Sequence, residues 1–376
     1  MQRIGFDAKR LFNNNTGLGN YSRTLVRSLQ EYYPENEYVL FTPKVVSNAH
    51  TEYFNSGDFE IKTPGKVPGW LWRTSLMKND INKSDIDIYH GLSHELPLGI
   101  HKTNTCSVVT IHDIIYMLHP EDFPWIDRKI YDYKFRYSCE YSDRIIAISQ
   151  STKVDIMMHY GVPEEKISVI YQSCNEAFKK GVTEEVIEST VKKYNLPEQF
   201  LLYVGTINER KNLLTAVKAI QLLGDILKIP LLVVGNGKEY KQKVVEYIKK
   251  HKLEKKIIFA PYIQNEDLPA LYHRARIFVF PSRYEGFGIP IIEALYSRTP
   301  VITTRMSSLP EAAGPGAYYI DPDDPSTISN GIVKLLTSPE YYKELMNNGY
   351  NHVQSFNNKE SARLLVGLYE RTAKGK

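Results

Sequence analysis

Cysteine is scarce in these 376 residues: Cys106, Cys139 and Cys174 stand far apart, with no CxxC and no zinc-ligand spacing. Three scattered cysteines exclude a disulfide-stapled scaffold and fit a reducing compartment. Long apolar runs are missing too. No stretch of 18 apolar residues occurs, so no segment is expected to cross a bilayer as a helix. The opening MQRIGFDAKR has no apolar core followed by small residues and reads as a strand rather than a secretion signal. Strong charge of either sign is absent. The 47 Lys and Arg face 43 Asp and Glu, a net +4, too mild for the dense basic stripe of a nucleic-acid binder. There is no low-complexity segment, no short repeat and no P-loop string. What is plentiful is tyrosine, 27 residues beside 14 Phe and 3 Trp. The 42% apolar and 24% charged residues describe an ordinary globular chain.

The length suggests two domains. Short runs rich in Ile, Val, Tyr and Phe alternate with helical patterns, and they predict strands at 2–7, 37–42, 86–90, 106–111, 144–148, 167–171, 200–205, 230–235, 256–260, 276–280 and 300–303. Continuous rather than alternating apolar strands point to parallel sheets covered on both faces, hence the α/β class. Eleven strands exceed one doubly wound sheet, so two Rossmann-like halves with a cleft between them are expected. The polar, weakly patterned stretch between about 172 and 199 marks the break. The expected domains are 1–180 and 196–357, with a final helix in 358–376. Residues 1–180 hold 21 basic and 22 acidic groups against 26 and 21 in the remainder, so the positive excess belongs to the second half.

In open α/β sheets ligands bind beyond the carboxyl ends of strands. After 276–280 comes Pro281-Ser282-Arg283-Tyr284-Glu285-Gly286-Phe287-Gly288-Ile289-Pro290-Ile291-Ile292-Glu293. Two glycines flank Phe287 at the mouth of a helix, where bare amides and the helix dipole favour an anion or hydroxyl group. Glu285 precedes those amides. Glu293 lies one turn into the helix among apolar residues, where a buried acid needs a partner. After 200–205, the loop Gly205-Thr206-Ile207-Asn208-Glu209-Arg210-Lys211 brings two adjacent cations suited to a diphosphate. Gly235 and Gly237 follow the next strand. Gly17 and Gly19 open the first long helix, but Ser22 replaces the third glycine of a dinucleotide fingerprint and no ribose-binding acid follows, which disfavours NAD. His112 and Asp113 end strand 106–111, and His90 ends strand 86–90. Asp85-Ile86-Asp87 and Asp321-Pro322-Asp323-Asp324 read as structural rather than as Mg²⁺ sites.

EGFGIPIIE carries the E-x7-E pattern, Glu285 and Glu293, of the retaining nucleotide-sugar glycosyltransferases of family 4, and the chain resembles that family over nearly its whole length. TIHDIIYMLHPEDFP, RIIAISQSTKVDI, YVGTINERKNL, EDLPALYHRARIFVFPSRYEGFGIPIIEA and SSLPEAAG fall in the family's order. The resemblance implies a GT-B fold, with the final helix crossing back onto the first domain. It implies hexose transfer from a nucleoside-diphosphate sugar with retained configuration, without a metal or other cofactor. On that pattern Glu285 and the Gly286-Phe287-Gly288 amides hold the donor sugar and phosphate, and Glu293 holds the ribose. Arg210 and Lys211 grip the diphosphate beside Gly205, Thr206 and Gly235. His112 faces the donor sugar, and Gly17 and Gly19 line the diphosphate side. Many members have Gly-Arg where Gly205-Thr206 stands, and a glycine where Pro261 stands. The string leading to Tyr262 and Ile263 is expected to pass the nucleobase.

The donor is expected to be GDP-mannose or a UDP-hexose, and the acceptor a glycan or lipid-linked glycan in polysaccharide or glycolipid synthesis. Alternatives are a catalytically silent sugar-nucleotide-binding protein or an epimerase of the same fold. Trp70 and Trp72 in one stretch, and the Tyr-rich, basic stretch 125–141 in another, suit an acceptor surface or a membrane interface. His90 and Asp113 are expected on the acceptor-side rim. The expected location is the cytoplasm, with peripheral contact at the inner membrane face.

Overall fold

The structure is a computed structural model describing residues 1–375. It contains two compact units: Met1–Gln172 together with the segment from Phe356, and Ser173–Ser355.

The first unit holds seven parallel strands, β1 (Arg3–Asp7), β2 (Glu37–Phe41), β3 (Glu60–Lys62), β4 (Ile88–Gly91), β5 (Cys106–Ile111), β6 (Arg144–Ala147) and β7 (Ile167–Val169), in the order β3-β2-β1-β4-β5-β6-β7. Successive side chains enter opposite faces, and both faces are covered. Tyr38 and Leu40 of β2 and Val108 of β5 join Phe6, Val26 and Tyr369 on one side. Val39, Phe41, Val109 and Ile111 join Trp72, Ile81 and Phe135 on the other. This is why the strands read as continuous apolar runs. The last helix, Asn358–Lys374, packs against Gly17–Tyr32 in this unit. Asn357 caps it by accepting from the Glu360 amide at 2.8 Å.

The second unit holds six parallel strands, β8 (Leu201–Val204), β9 (Leu231–Val234), β10 (Ile257–Phe259), β11 (Ile277–Phe280), β12 (Val301–Thr304) and β13 (Ala317–Ile320), in the order β10-β9-β8-β11-β12-β13. In each sheet the order reverses beside the unit's first strand, between β1 and β4 and between β8 and β11, which defines a switch point.

All eleven expected strands are present. β3 and β13 are additions, and both lie at sheet edges. β3 has three residues and two of them are charged, while β13 follows a Gly-Pro-Gly turn, so neither shows the apolar run of a central strand. The expected break is also shorter than 172–199: Glu184–Lys193 is a helix packed on Leu268–Arg274. Acids at its start and lysines at its end match the helix dipole, and Ile187 is its main buried side chain, so its apolar pattern is faint.

A buried polar chain ties the returning helix to the sheet. Tyr369 Oη lies 2.6 Å from His90 Nδ1, and His90 Nε2 lies 2.8 Å from Thr110 Oγ1. All three residues are fully buried. Tyr369→Phe should lower unfolding stability by about 1–3 kcal/mol, because the imidazole nitrogen loses its buried partner; urea titration measures this, and an unchanged midpoint would contradict it.

Candidate functional site

The second unit's switch point concentrates charge. Arg210 and Lys211 lie in the loop after β8, and Glu285 in the loop after β11. Glu285 Oε1 receives Lys211 Nζ at 2.9 Å, Arg210 Nη1 at 3.0 Å and Ser282 Oγ at 2.7 Å. Arg210 also donates to the Tyr284 carbonyl, and the Arg283 amide donates to the Arg210 carbonyl at 2.8 Å, so the two loops are stitched together. Burial opposes ionisation of Glu285, but Lys211 and Arg210 outweigh it and hold its pKa below the usual value. Burial lowers the Lys211 pKa, and Glu285 opposes that fall. Lys211 also sits 4.9 Å from the centre of the Phe280 ring.

Glycines shape these loops. Gly205 and Gly235 have φ of +150° and +149°. A Cβ on Gly235 would fall 1.9 Å from the Gly205 carbonyl oxygen, and one on Gly237 2.1 Å from that of Ile207. The loops after β8 and β9 thus approach backbone to backbone. Gly235 is required by its neighbouring loop. Thr206 and Tyr262 are exposed, while Ile263 is buried.

The helix Ile289–Tyr296 begins at Gly288, whose φ of +117° suits glycine. Phe287 is buried, and its carbonyl accepts from Ser308 Oγ at 2.9 Å. Ser308 Oγ also donates to the Glu285 carbonyl at 2.8 Å, and the Glu285 amide donates to Ser307 Oγ at 2.9 Å. Ser307 adopts a φ of +46°, an uncommon conformation for a residue with a side chain. Glu293 lies one turn into the helix and accepts from the Tyr272 hydroxyl at 2.9 Å. Burial pushes its pKa up to about 7, against the opposing hydrogen bond from Tyr272.

In the first unit, Gly17 faces open space, whereas a Cβ on Gly19 would lie 1.8 Å from the Asn14 carbonyl oxygen. The Gly19 amide donates to Asn14 Oδ1 at 3.2 Å. Gly19 therefore serves the chain reversal entering its helix. His112 is buried, with Nε2 2.9 Å from the Leu92 carbonyl oxygen and Nδ1 3.0 Å from Gln172 Nε2. Burial, assisted by nearby His94, drives its pKa down to about 3, so the ring is neutral with both nitrogens engaged. Asp113 Oδ1 accepts from the Ile115 amide at 3.1 Å, so it shapes the following turn.

Two expected rim residues are core residues. His90 is fully buried between the sheet and the returning helix, because its side chain falls on the face that the helix covers. Trp72 is 2% exposed and donates from Nε1 to Asp80 at 2.6 Å, whereas Trp70 is 74% exposed. In the Asp-rich strings, Asp87 accepts from the Arg3 amide, and Asp324 caps the helix Pro325–Thr337. Among the described residues no group of three or more His, Cys, Asp or Glu side chains is placed to hold a metal.

Sequence reasoning missed Ser282, Ser307, Ser308 and Tyr272, which carry no motif and are recruited from separate elements. It also missed a network in the first unit. There Arg73 pairs with Asp7 and Glu95, each at 2.5 Å, and Lys134 reaches Glu95 at 3.1 Å. Asp7 ends β1, at the switch point, which is the one signal that marked it.

Two parallel α/β sheets with cationic loops at the second switch point define a protein of the GT-B architecture. Family models agree: residues 15–177 match "Glycosyltransferase Family 4" and residues 186–352 match "Glycosyl transferases group 1", and the chain belongs to the family 4 glycosyltransferases. It is 26% identical to O-antigen chain mannosyltransferase B of Escherichia coli, across 94% of this chain and 96% of that one. It is 26% identical to O-antigen chain mannosyltransferase RfbU of Salmonella typhimurium, across 88% and 90%. The structure of Anabaena HepE in complex with UDP-glucose shares the fold with a TM-score of 0.75, at 14% identity over 99% of this chain and 100% of that one.

The raised pKa of Glu293 has a stability consequence. A folded-state value above the unfolded one favours folding fully below about pH 4.5, and that contribution is lost as pH rises toward and through about 7. Glu293→Gln removes the ionisation. The variant should match the parent protein at pH 4 and exceed it by about 1–3 kcal/mol at pH 8, read from urea unfolding at both values. A gain independent of pH would contradict the buried-acid assignment.

Proposed function

We propose that the protein is a retaining mannosyltransferase, using a nucleoside-diphosphate mannose, with GDP-mannose placed ahead of UDP-hexoses. Its acceptor is a glycan or lipid-linked glycan in the assembly of a surface polysaccharide or lipopolysaccharide. The observation that carries this reading is the convergence of Arg210 and Lys211 on Glu285 at the switch point of the second sheet. The mannosyltransferase names of the two full-length relatives support the sugar, and the UDP-glucose complex of a structural neighbour supports a sugar nucleotide.

On this reading the donor diphosphate lies against Arg210 and Lys211, with the sugar hydroxyls toward Glu285 and the ribose toward Glu293. As the bond from the anomeric carbon to the diphosphate oxygen breaks, negative charge grows on that oxygen, where the two cations and the Gly286–Gly288 amides stabilise it. The acceptor hydroxyl attacks the anomeric carbon from the face the diphosphate leaves, and its proton passes to a departing diphosphate oxygen. Configuration is retained without a covalent sugar–protein intermediate. The side-chain cations supply the charge that a metal ion supplies in other transferases. His112, neutral and bonded through both ring nitrogens, is given no proton-carrying role in this reading.

Slow hydrolysis of GDP-mannose without acceptor should exceed that of UDP-hexoses in the parent protein, and a silent binder would show none. Lys211→Ala and Glu285→Gln should each lower this rate at least a hundredfold with circular dichroism unchanged. Rates near the parent's in either variant would overturn the assignment.

We place the enzyme in the cytoplasm, with peripheral contact at the inner face of the membrane. Trp70, Trp125, Ile126 and Tyr133 are 74%, 64%, 64% and 60% exposed, and Arg128, Lys129 and Arg136 share the helix Trp125–Tyr141 with three of them. Exposed aromatics beside cations suit an anionic lipid surface. The protein should float with phosphatidylglycerol vesicles at low salt and be released at high salt; absence of flotation at low salt would contradict membrane contact.

A further inference from the structure

The first unit contains a cavity of about 390 Å³, within the size range of ligand pockets. Its walls include Met77, Leu96, Pro97, Leu98, Ile130 and Tyr133. Four of the five charged groups in its lining satisfy one another: Arg73 binds Asp7 and Glu95, and Lys134 binds Glu95, while Lys129 stands outside that network. Tyr137, also in the lining, donates to the Pro97 carbonyl and accepts from the Gly99 amide. A site for a bare sugar would present open donors and acceptors. Beyond Lys129 at its edge, this one presents apolar wall with its charged groups already paired, which suits an apolar chain.

A second, more open depression of about 690 Å³ adjoins it and shares Leu98, Lys129, Tyr133 and Tyr137 with it. Lys78, Lys102, Lys129 and Arg136 line this depression, against Asp132 and Glu140. Arg136 is paired with Asp132 at 2.9 Å, so three lysines face one remaining carboxylate. An apolar cavity thus opens beside a cationic one, with Lys129 common to both.

We propose that this double cavity binds the lipid phosphate of an amphipathic acceptor: the apolar chain enters the smaller cavity, and the phosphate rests on Lys129, Lys78 and Lys102. The assignment rests on the transferase reading and narrows its acceptor to a glycan carried on a lipid phosphate. The aliphatic side of the helix face that carries Ile130 and Tyr133 then packs on the chain, while Lys129 marks the junction between chain and head group.

Calorimetry on the full chain with monomeric butyl, hexyl, octyl and decyl phosphate tests this. Each added methylene should tighten binding about fourfold until the cavity is filled. The matching alkanols should bind at least tenfold more weakly, and inorganic phosphate more weakly than any of the alkyl phosphates. Ile130→Glu, a change at an exposed position, should flatten the chain-length dependence, and Lys129→Ala should shrink the preference for phosphate over alcohol. Affinity that does not change with chain length, or equal affinity for alcohols and phosphates, would overturn the proposal, and inorganic phosphate binding as tightly as the decyl compound would mean a free-anion site instead. Hydrolysis of the sugar nucleotide by the parent protein is measured alongside. A flat methylene series with hydrolysis intact defeats the lipid-phosphate site alone. A rising series without hydrolysis leaves the site standing and defeats the transferase reading.

Discussion

One carboxylate holds the second unit's loops in place. Glu285 Oε1 gathers a lysine, an arginine and a serine hydroxyl from the loops after β8 and β11, while its backbone is bonded to Ser307 and Ser308 from the loop after β12. Three strand ends thereby depend on one residue. A buried charge of this kind stabilises little by itself, since desolvation offsets the attraction, but removing Glu285 leaves two buried cations uncompensated at a cost of about 3–5 kcal/mol. Geometry, more than net stability, is what the cluster secures.

The same economy governs the backbone around it. Gly205 and Gly235 let two loops touch at their carbonyl and Cα atoms, so the cations after β8 are presented from a loop braced by its neighbour. A side chain at Gly235 would push the loops apart by more than the hydrogen-bond tolerance of the Glu285 cluster, and one at Gly205 would press on the Lys211 side chain at 3.2 Å. In the first unit the constraint differs. Asn14 folds the chain back onto Gly19, and the buried His90 and Tyr369 clamp the final helix to the sheet. Each unit therefore spends its special residues on holding a loop or helix at the carboxyl end of the sheet.

The strands were legible because both sheets are buried on both faces, which forces continuous apolar runs such as LLYV and IFVF. The exceptions at β3 and β13 are edge strands, where pairing on one side leaves the sequence free to be charged or aromatic. Charged residues near a strand end and its following helix were legible too, because Arg210, Lys211, Glu285 and Glu293 each sit within a few residues of one. Their partners were not. Tyr272 and Glu293 are 21 residues apart, Ser282 and Lys211 follow different strands, and Arg73 meets Asp7 across 66 positions. No local spacing encodes such contacts; the sheet order creates them. His90 and Trp72 show the converse failure. A polar or amphipathic residue beside a motif resembles a site residue until the covering element is known, here a helix that begins 268 positions after His90 in the chain.

Charge balance connects the cluster to the chemistry proposed for it. Arg210 and Lys211 bring two positive charges to a buried point where Glu285 supplies one negative charge, so a positive charge remains over. At a low local dielectric that surplus is a standing attraction for an anion. It is also why neither cation can be lost singly without consequence: without Lys211, Glu285 and Arg210 neutralise each other and the attraction disappears, although the fold keeps an ion pair. A diphosphate sugar fits this balance in a way that a neutral sugar does not, because its negative charge increases along the reaction just where the surplus positive charge is fixed. The cluster is thus matched to the departing group more closely than to the bound donor, which is the condition for stabilising the transition state more than the ground state.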